Sequence, residues 1–579
     1  MSRWWYCLSA IVAAGLSAAV IAHGNAGATG VAHVAQAAPA AAAPAATTIP
    51  AKLTCASLVQ NNTPATSTVP DFEEIHGAPT RITSAKVVAA TATQPEYCDL
   101  LGYIQSQIKF ELKLPTTTWQ GRYLQMGCGG FCGSITPTTF PACRTQLGGD
   151  FAIASTNDGH DASSTDALWA GQDPQQRIDF GYRAVHVLAI AAKAIQAAYY
   201  GQAPTRNYFV GCSDGGREGL DEAQKYPYDF DGIVAGAPAN GMSTDPMYLA
   251  WSVDTNSDAS GQPILTANKL PALHAAVVKA CDANDGVVGD GQIGDPRDCT
   301  FDPGAIQCAG ATDAVSCLTP AQVQVVRTLY AGIFDRHGTR LDLRRASKGS
   351  ELNWVGWWVP AQGAPTGMRS TIAWSFGESA SRWLSYPIGE GKPLEDVQLT
   401  AREFYEEVQS ARYYEAMDPD LSAFRRHGGK LMMYQGMSDP LVPMVQILEY
   451  YNALRADAGG QRQADQFARL FMIAGMSHCG GGPTPNTSDL TLQIVNWVEQ
   501  GQAPDSINVT DTNSATNESR TRPVFSYPNV AKYVGPDPAS DPTGPDKPQN
   551  FVEAPPTVRH DDNIVWLGDF LLGQRGWRH

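Results

Sequence analysis

The sequence predicts an α/β fold: a parallel sheet flanked by helices and interrupted by one large insertion. Three observations predict it. Short apolar runs alternate with stretches of helical periodicity. That alternation lapses from about 242 to 424, where tryptophans and four cysteines gather, and resumes at Lys430. A Gly-x-Ser-x-Gly turn at 211–215 lies where an apolar run meets a helical one, as alternating strands and helices on one sheet require.

Taken in order, Arg3 forms a short positive n-region and residues 4–21 are apolar. Small residues follow, so 1–34 is expected to be a signal peptide; an uncleaved anchor is the alternative, since the run is about long enough to span. Residues 35–48 are almost pure Ala, Pro and Gln and read as a linker without fold. The body starts near Ile49. Residues 103–114 alternate as one half-buried strand would; 123–126, 151–154 and 208–210 are further strands. Residues 180–200 form the best helix, stopped by Gly201. After the insertion come a strand at 430–434, a helix at 442–455, a strand at 469–473 and a helix at 488–499. The tail after Gly535 is rich in Pro and Asp and is expected to run over the surface. The division is therefore a core at 49–241 and 425–553, an inserted domain at 242–424 and an extension at 554–579.

Composition bounds the function. At 579 residues the chain exceeds what a single core needs. Hydrophobic residues make up 43% and charged residues 17%, a globular balance. The net charge of -16 and the lack of a Lys/Arg cluster exclude nucleic acid as partner, because phosphate neutralisation needs a basic surface. Twelve cysteines suit a secreted or periplasmic protein with disulfides and no membrane contact after signal removal. Cys7 leaves with the signal, and the odd remainder implies at least one unpaired thiol.

The Gly211-Cys212-Ser213-Asp214-Gly215 turn matches a nucleophile elbow, in which serine is presented between strand and helix. A serine hydroxyl needs a base, and in α/β hydrolases the acid and then the histidine follow it in the chain. Asp439 follows the 430–434 strand and His478 follows the 469–473 strand. Both stand on loops at strand C-terminal ends, where side chains converge over such a sheet. Ser213, His478 and Asp439 are thus nucleophile, general base and orienting acid. The oxyanion donors are the N–H of Asp214 and one from the 127–130 loop, for which Gly129 is chosen. Contact between Ser213 and His478 would also bring Cys212 and Cys479 together, close enough for a disulfide.

At these residues the sequence resembles the tannase and feruloyl esterase family of α/β hydrolases, which also includes mono(2-hydroxyethyl) terephthalate hydrolase. The resemblance runs from about Cys55 to Phe551 and is most specific at 180–186, 208–217, 228–238 and 475–481. It implies an α/β-hydrolase fold whose insertion between Ser213 and Asp439 is a lid, and it implies the Cys212–Cys479 bond. It implies a structural calcium in the lid, held by Asp282, Asp285 and Asp290, main-chain oxygens of Val287 or Val288, and Gln292; clustered oxygen donors suit that ion. It further implies the pairs Cys55–Cys98, Cys281–Cys299 and Cys308–Cys317. Cys128, Cys132 and Cys143 are then three cysteines for one bond, and Cys132–Cys143 is expected. Phe525 and Glu553 stand where the family often has a last disulfide, so packing must hold that region.

The activity implied is hydrolysis of an aromatic-acid ester: galloyl, feruloyl or other hydroxycinnamoyl esters, or alternatively a terephthalate monoester. The lid offers Trp354, Trp357, Trp358, Trp374, Phe376 and Trp383, which either stack a planar acyl group or fill the lid core. Trp358, Trp374 and Arg369 are the candidate substrate contacts. A reading of another class is a secreted calcium-dependent binding protein without catalysis, since fold does not fix function.

Overall fold

The computed structural model describes residues 47–573, apart from 60–68, 137–148, 311, 487, 513–516, 518, 559 and 561–563. The expected signal peptide and most of the expected linker lie outside the described residues.

Nine strands form one sheet: β1 (Thr80–Val88), β2 (Tyr97–Ile104), β3 (Ile108–Pro115), β4 (Arg122–Met126), β5 (Phe151–Thr156), β6 (Arg206–Cys212), β7 (Gly232–Gly236), β8 (Lys430–Gly436) and β9 (Ala468–Ile473). Their order is β1-β2-β3-β5-β4-β6-β7-β8-β9. From β5 through β4 to β9 every neighbouring pair is parallel. The N-terminal strands β1, β2 and β3 pair antiparallel, and β3 meets β5 antiparallel. The sheet is therefore mixed where the sequence suggested a parallel one. The single strand expected at 103–114 is a hairpin instead, with Ile104 opposite Ile108. The alternation runs through its short turn unbroken, so periodicity does not mark the reversal.

The buried strands are apolar on both faces; β5 and β9 are buried at every residue, as a sheet covered by helices on both sides demands. Helix α1 (Ala184–Tyr200) covers one face with Val185, Leu188, Ala192 and Ile195 and ends at Gly201, whose φ of 74° closes the last turn. Helix α2 (Asp214–Lys225) follows β6 directly. Helices α3 (Val445–Asp457) and α4 (Leu490–Gln500) follow β8 and β9, and Asp489 caps α4 by accepting the Leu492 N–H.

β7 and β8 lie side by side, Gly232 opposite Lys430, although the insertion separates them in sequence. The insertion is helical and packs on its own aromatic core. Trp354 and Trp358 are fully buried, their ring centroids 5.8 Å apart, with Tyr330 edge-on to Trp354 and Tyr248 edge-on to Trp358.

Disulfides join Cys55–Cys98, Cys212–Cys479, Cys281–Cys299 and Cys308–Cys317. Cys132 is joined to Cys128 and not to Cys143, which corrects the expected pairing; Cys143 lies outside the described residues. The physical reason is the Gly129-Gly130 turn. The Cys132 N–H donates to the Gly129 carbonyl, which folds the chain back and brings the Cα atoms of 128 and 132 to 5.5 Å.

Past Gly535 the tail does more than cross the surface. Residues 551–554 pair with 530–533, and Phe551 packs against Tyr533 and under Arg522. Further on, Trp566 packs edge-on to Phe404, and the Leu567 N–H donates to the Arg340 carbonyl of the insertion.

Candidate active site

Ser213 sits between β6 and α2 at φ 66° and ψ -121°, a conformation that L side chains rarely adopt. Packing holds the strain in place. The Ser213 N–H donates to the Gly236 carbonyl of β7, and its carbonyl accepts from Ala239. A Cβ at Gly211 would lie 2.3 Å from the Gly215 carbonyl oxygen, and one at Gly216 would lie 2.2 Å from that of Gly236. Glycine is required at both for the strand, turn and helix to close.

The structure brings the three expected residues into one hydrogen-bonded chain. Ser213 Oγ is 2.8 Å from His478 Nε2, and His478 Nδ1 is 2.7 Å from Asp439 Oδ2. Asp439 is fully buried and His478 nearly so. Asp439 Oδ1 accepts from the Leu441 and Val442 N–H groups, and Oδ2 also accepts from Gln435 Nε2 at 3.2 Å. Four donors thus fix the orientation of the carboxylate. Cys212 and Cys479 flank the serine and histidine, their Cα atoms 5.9 Å apart. Trp357 lies edge-on to His478 at 5.9 Å and covers the imidazole from the insertion.

Asp214 opens α2, so its N–H has no acceptor within the helix. The 127–130 loop is held beside it: the Gly215 N–H donates to the Cys128 carbonyl, and the Cys128 N–H donates to Glu218 Oε2. Gly129 lies on this loop with open space where a Cβ would be, and Gly130 lines the cavity next to Ser213 and Asp214.

That cavity is largely apolar. Phe131 and Phe376 meet edge to face at 5.0 Å, with Met242, Leu249, Leu441 and Val442 completing the wall. Arg344 is the one cation among the described residues lining it. Its guanidinium is spent on Asp342 and Asp245, at 2.7 and 2.6 Å, and stacks on Tyr248. The substrate contacts chosen from sequence do not line it. Trp358 belongs to the buried core of the insertion. Arg369 is 64% exposed, pairs with Glu395 and lies over Trp374. Core packing uses Trp358, and Trp374 is half-buried beneath Arg369. Of the six lid aromatics named from sequence, Phe376 and Trp357 are brought to the site, and Tyr248 of the insertion joins them in the cavity wall. Phe131, Arg344, Gln446 and the Asp439-holding Gln435 carry no motif and were not singled out.

In the Cys281–Cys299 loop, Asp282 accepts the Gly289 and Gly291 N–H groups. Asp285 accepts the Val287 N–H, and Asp290 accepts Gln292 N–H and pairs with Arg522 at 2.6 Å. Burial, and then Asp290, pushes the Asp285 carboxyl up to about 7. The loop's oxygen donors suit a divalent, oxygen-preferring cation by chemistry, while the three carboxylates do not converge within 4.8 Å of one another. Val287 is buried and Val288 is 69% exposed.

A sequence model of the family described as "Tannase and feruloyl esterase" matches residues 96–541. The chain belongs to this family. Among relatives, it is 33% identical over 519 residues to "Mono(2-hydroxyethyl) terephthalate hydrolase" of Piscinibacter sakaiensis, covering 78% of this chain and 85% of that protein. It is 30% identical over 457 residues to "Probable feruloyl esterase B-1" of Aspergillus oryzae, covering 75% and 79%. The crystal structure of feruloyl esterase B from Aspergillus oryzae superposes with a TM-score of 0.70 at 26% identity, over 82% of this chain and 97% of that one. As a tannase and feruloyl esterase family member, the chain is a carboxylic ester hydrolase with the α/β-hydrolase fold. No helix among the described residues is long and apolar enough to cross a membrane.

Proposed function

We propose that this family member is an exported serine esterase that cleaves esters of phenolic aromatic acids through Ser213, His478 and Asp439. The observation that carries this reading is the hydrogen-bonded chain from Asp439 to Ser213 opening onto an apolar, aromatic-walled cavity. His478 takes the Ser213 proton as Oγ attacks the ester carbonyl. The oxyanion is received by the Asp214 N–H and an N–H of the Gly129-Gly130 turn. His478 then protonates the leaving alcohol, and a water deacylates the enzyme by the same route in reverse. Asp439 holds the imidazole tautomer and stabilises its charged form throughout.

The wall chemistry favours a neutral acyl group. A terephthalate monoester would bring a free carboxylate, and Arg344 is already neutralised by two acids. Desolvating an unpaired carboxylate there is costly. The five described disulfides support export to an oxidising compartment. Calcium bound by Asp282, Asp285, Asp290 and neighbouring main-chain oxygens would supply structural cohesion to the lid and no step of the reaction.

The test is a hydrolysis panel of methyl gallate, methyl ferulate, chlorogenate and mono(2-hydroxyethyl) terephthalate, with Ser213→Ala as control. Turnover of a phenolic ester, lost in Ser213→Ala, supports the reading. Turnover confined to the terephthalate monoester overturns the substrate assignment. No turnover of any ester points to a binding protein on this scaffold.

A further inference from the structure

Behind the oxyanion loop lies a buried cluster whose side chains take no step in the esterase reaction. Cys128, Cys132, Asp158, Asp214 and Glu218 each place a donor atom within 4.8 Å of all the others, and all five residues are buried. Cys128 Sγ is 3.3 Å from Glu218 Oε1 and 3.7 Å from Asp158 Oδ2; Cys132 Sγ is 4.0 Å from the same Glu218 oxygen. Asp214 is already neutralised by Arg217, which grips both its oxygens. Asp158 and Glu218 have no arginine of their own and share a side-chain hydrogen bond with one another. Asp158 Oδ1 is buried with no hydrogen-bond partner among the described residues, although its residue is only 1% exposed.

We propose that Cys128, Cys132, Glu218 and Asp158 form a closed zinc site when the two cysteines are in the dithiol form. Zinc bonds of about 2.0–2.3 Å to carboxylate and thiolate put tetrahedral ligands about 3.3–3.8 Å apart. The sulfur–oxygen separations above lie in or next to that range. Two soft sulfurs select zinc over calcium or magnesium. The disulfide between Cys128 and Cys132 is the metal-free form of the same site. A dithiol or phosphine reductant supplies two electrons to the S–S bond, is itself oxidised, and leaves two thiols with protons from solvent. Zinc then displaces both thiol protons to water. The ion would tie the Gly129-Gly130 turn, which the two cysteines bracket, to the helix that begins at the nucleophile.

Cobalt(II) is the probe, because thiolate ligation gives a charge-transfer band that oxygen-only sites lack. The full chain is reduced with a phosphine, kept in excess calcium and titrated anaerobically. The result expected is a band saturating at one cobalt per chain and bleached by zinc. It is absent from the unreduced chain and from the Cys128→Ser/Cys132→Ser variant. Glu218→Gln keeps both thiols and weakens binding by about tenfold or more, which guards against misfolding of the double variant. A reduced native chain without the band overturns the proposal. So does a band that persists in the double variant, or a peptide map joining Cys132 to Cys143.

Discussion

Asp439 does more than face His478. It accepts two backbone N–H groups and Gln435, so its orientation is held by these donors as well as by the imidazole. Asp439→Asn preserves shape but favours the wrong imidazole tautomer, and kcat is expected to fall by about 10³–10⁴ with little change in melting temperature. Steady-state kinetics beside a thermal melt check this. Glu415 gives a separate prediction. It is half-buried, accepts from Ser243 N–H and hydroxyl, and desolvation pushes it up to about 7. A carboxyl whose folded value is raised binds its proton more tightly when folded. Stability from this group is therefore full below its ordinary value and is lost as pH rises through about 7. Glu415→Gln should flatten that fall, by up to about 3 kcal/mol, in denaturant melts from acid to neutral pH. At this scale the sequence revealed the groups that carry motifs. Ser213, Asp439 and His478 are legible because strand ends and chain order restrict them. Gln435 and Arg344 are not, because no motif marks an amide or a guanidinium whose partners are acids of the same protein.

Among the elements, the β6 turn is the most constrained. Gly216→Ala would drive a Cβ into the Gly236 carbonyl of the neighbouring strand. Backbone cannot yield cheaply there, so a loss of about 1–3 kcal/mol is expected in urea melts, with activity reduced in the folded fraction. The Cys212–Cys479 bond joins this turn to the His478 loop across 267 residues. Removing it as Cys212→Ala/Cys479→Ala should cost on the order of 2–5 kcal/mol. It should also lower kcat beyond the unfolded fraction; full turnover in the folded double variant would show that the bond does not position the pair. The buried parallel strands β4, β5, β6, β8 and β9 were readable here, because short apolar runs report them directly; β7, five residues bounded by Gly232 and Gly236, was not. The β2–β3 reversal was not, since its turn keeps the alternation of the strands around it. The Cys128–Cys132 bond was not either, because three nearby cysteines leave the pairing to the turn at Gly129-Gly130.

For the whole molecule, the insertion closes over the sheet and is held at several points. Asn353 donates to the Ser438 carbonyl, Tyr248 donates to the Pro440 carbonyl, and Trp566 and Leu567 of the tail clasp the insertion from outside. The lapse of strand–helix alternation made the insertion visible in sequence, whereas the tail's docking depends on a partner surface that no local pattern encodes. The proposed calcium belongs to this scale. At about a hundred times its Kd it should add about 2.7 kcal/mol, so a chelator should lower the melting temperature, and Asp285→Asn should abolish that response. The central claim is that Ser213 is the nucleophile. The most direct test treats the folded chain with a fluorophosphonate and maps the adduct by mass spectrometry. The account predicts one adduct, on Ser213, lost in His478→Ala along with ester hydrolysis. A folded chain that hydrolyses esters yet carries no adduct on Ser213 would contradict it.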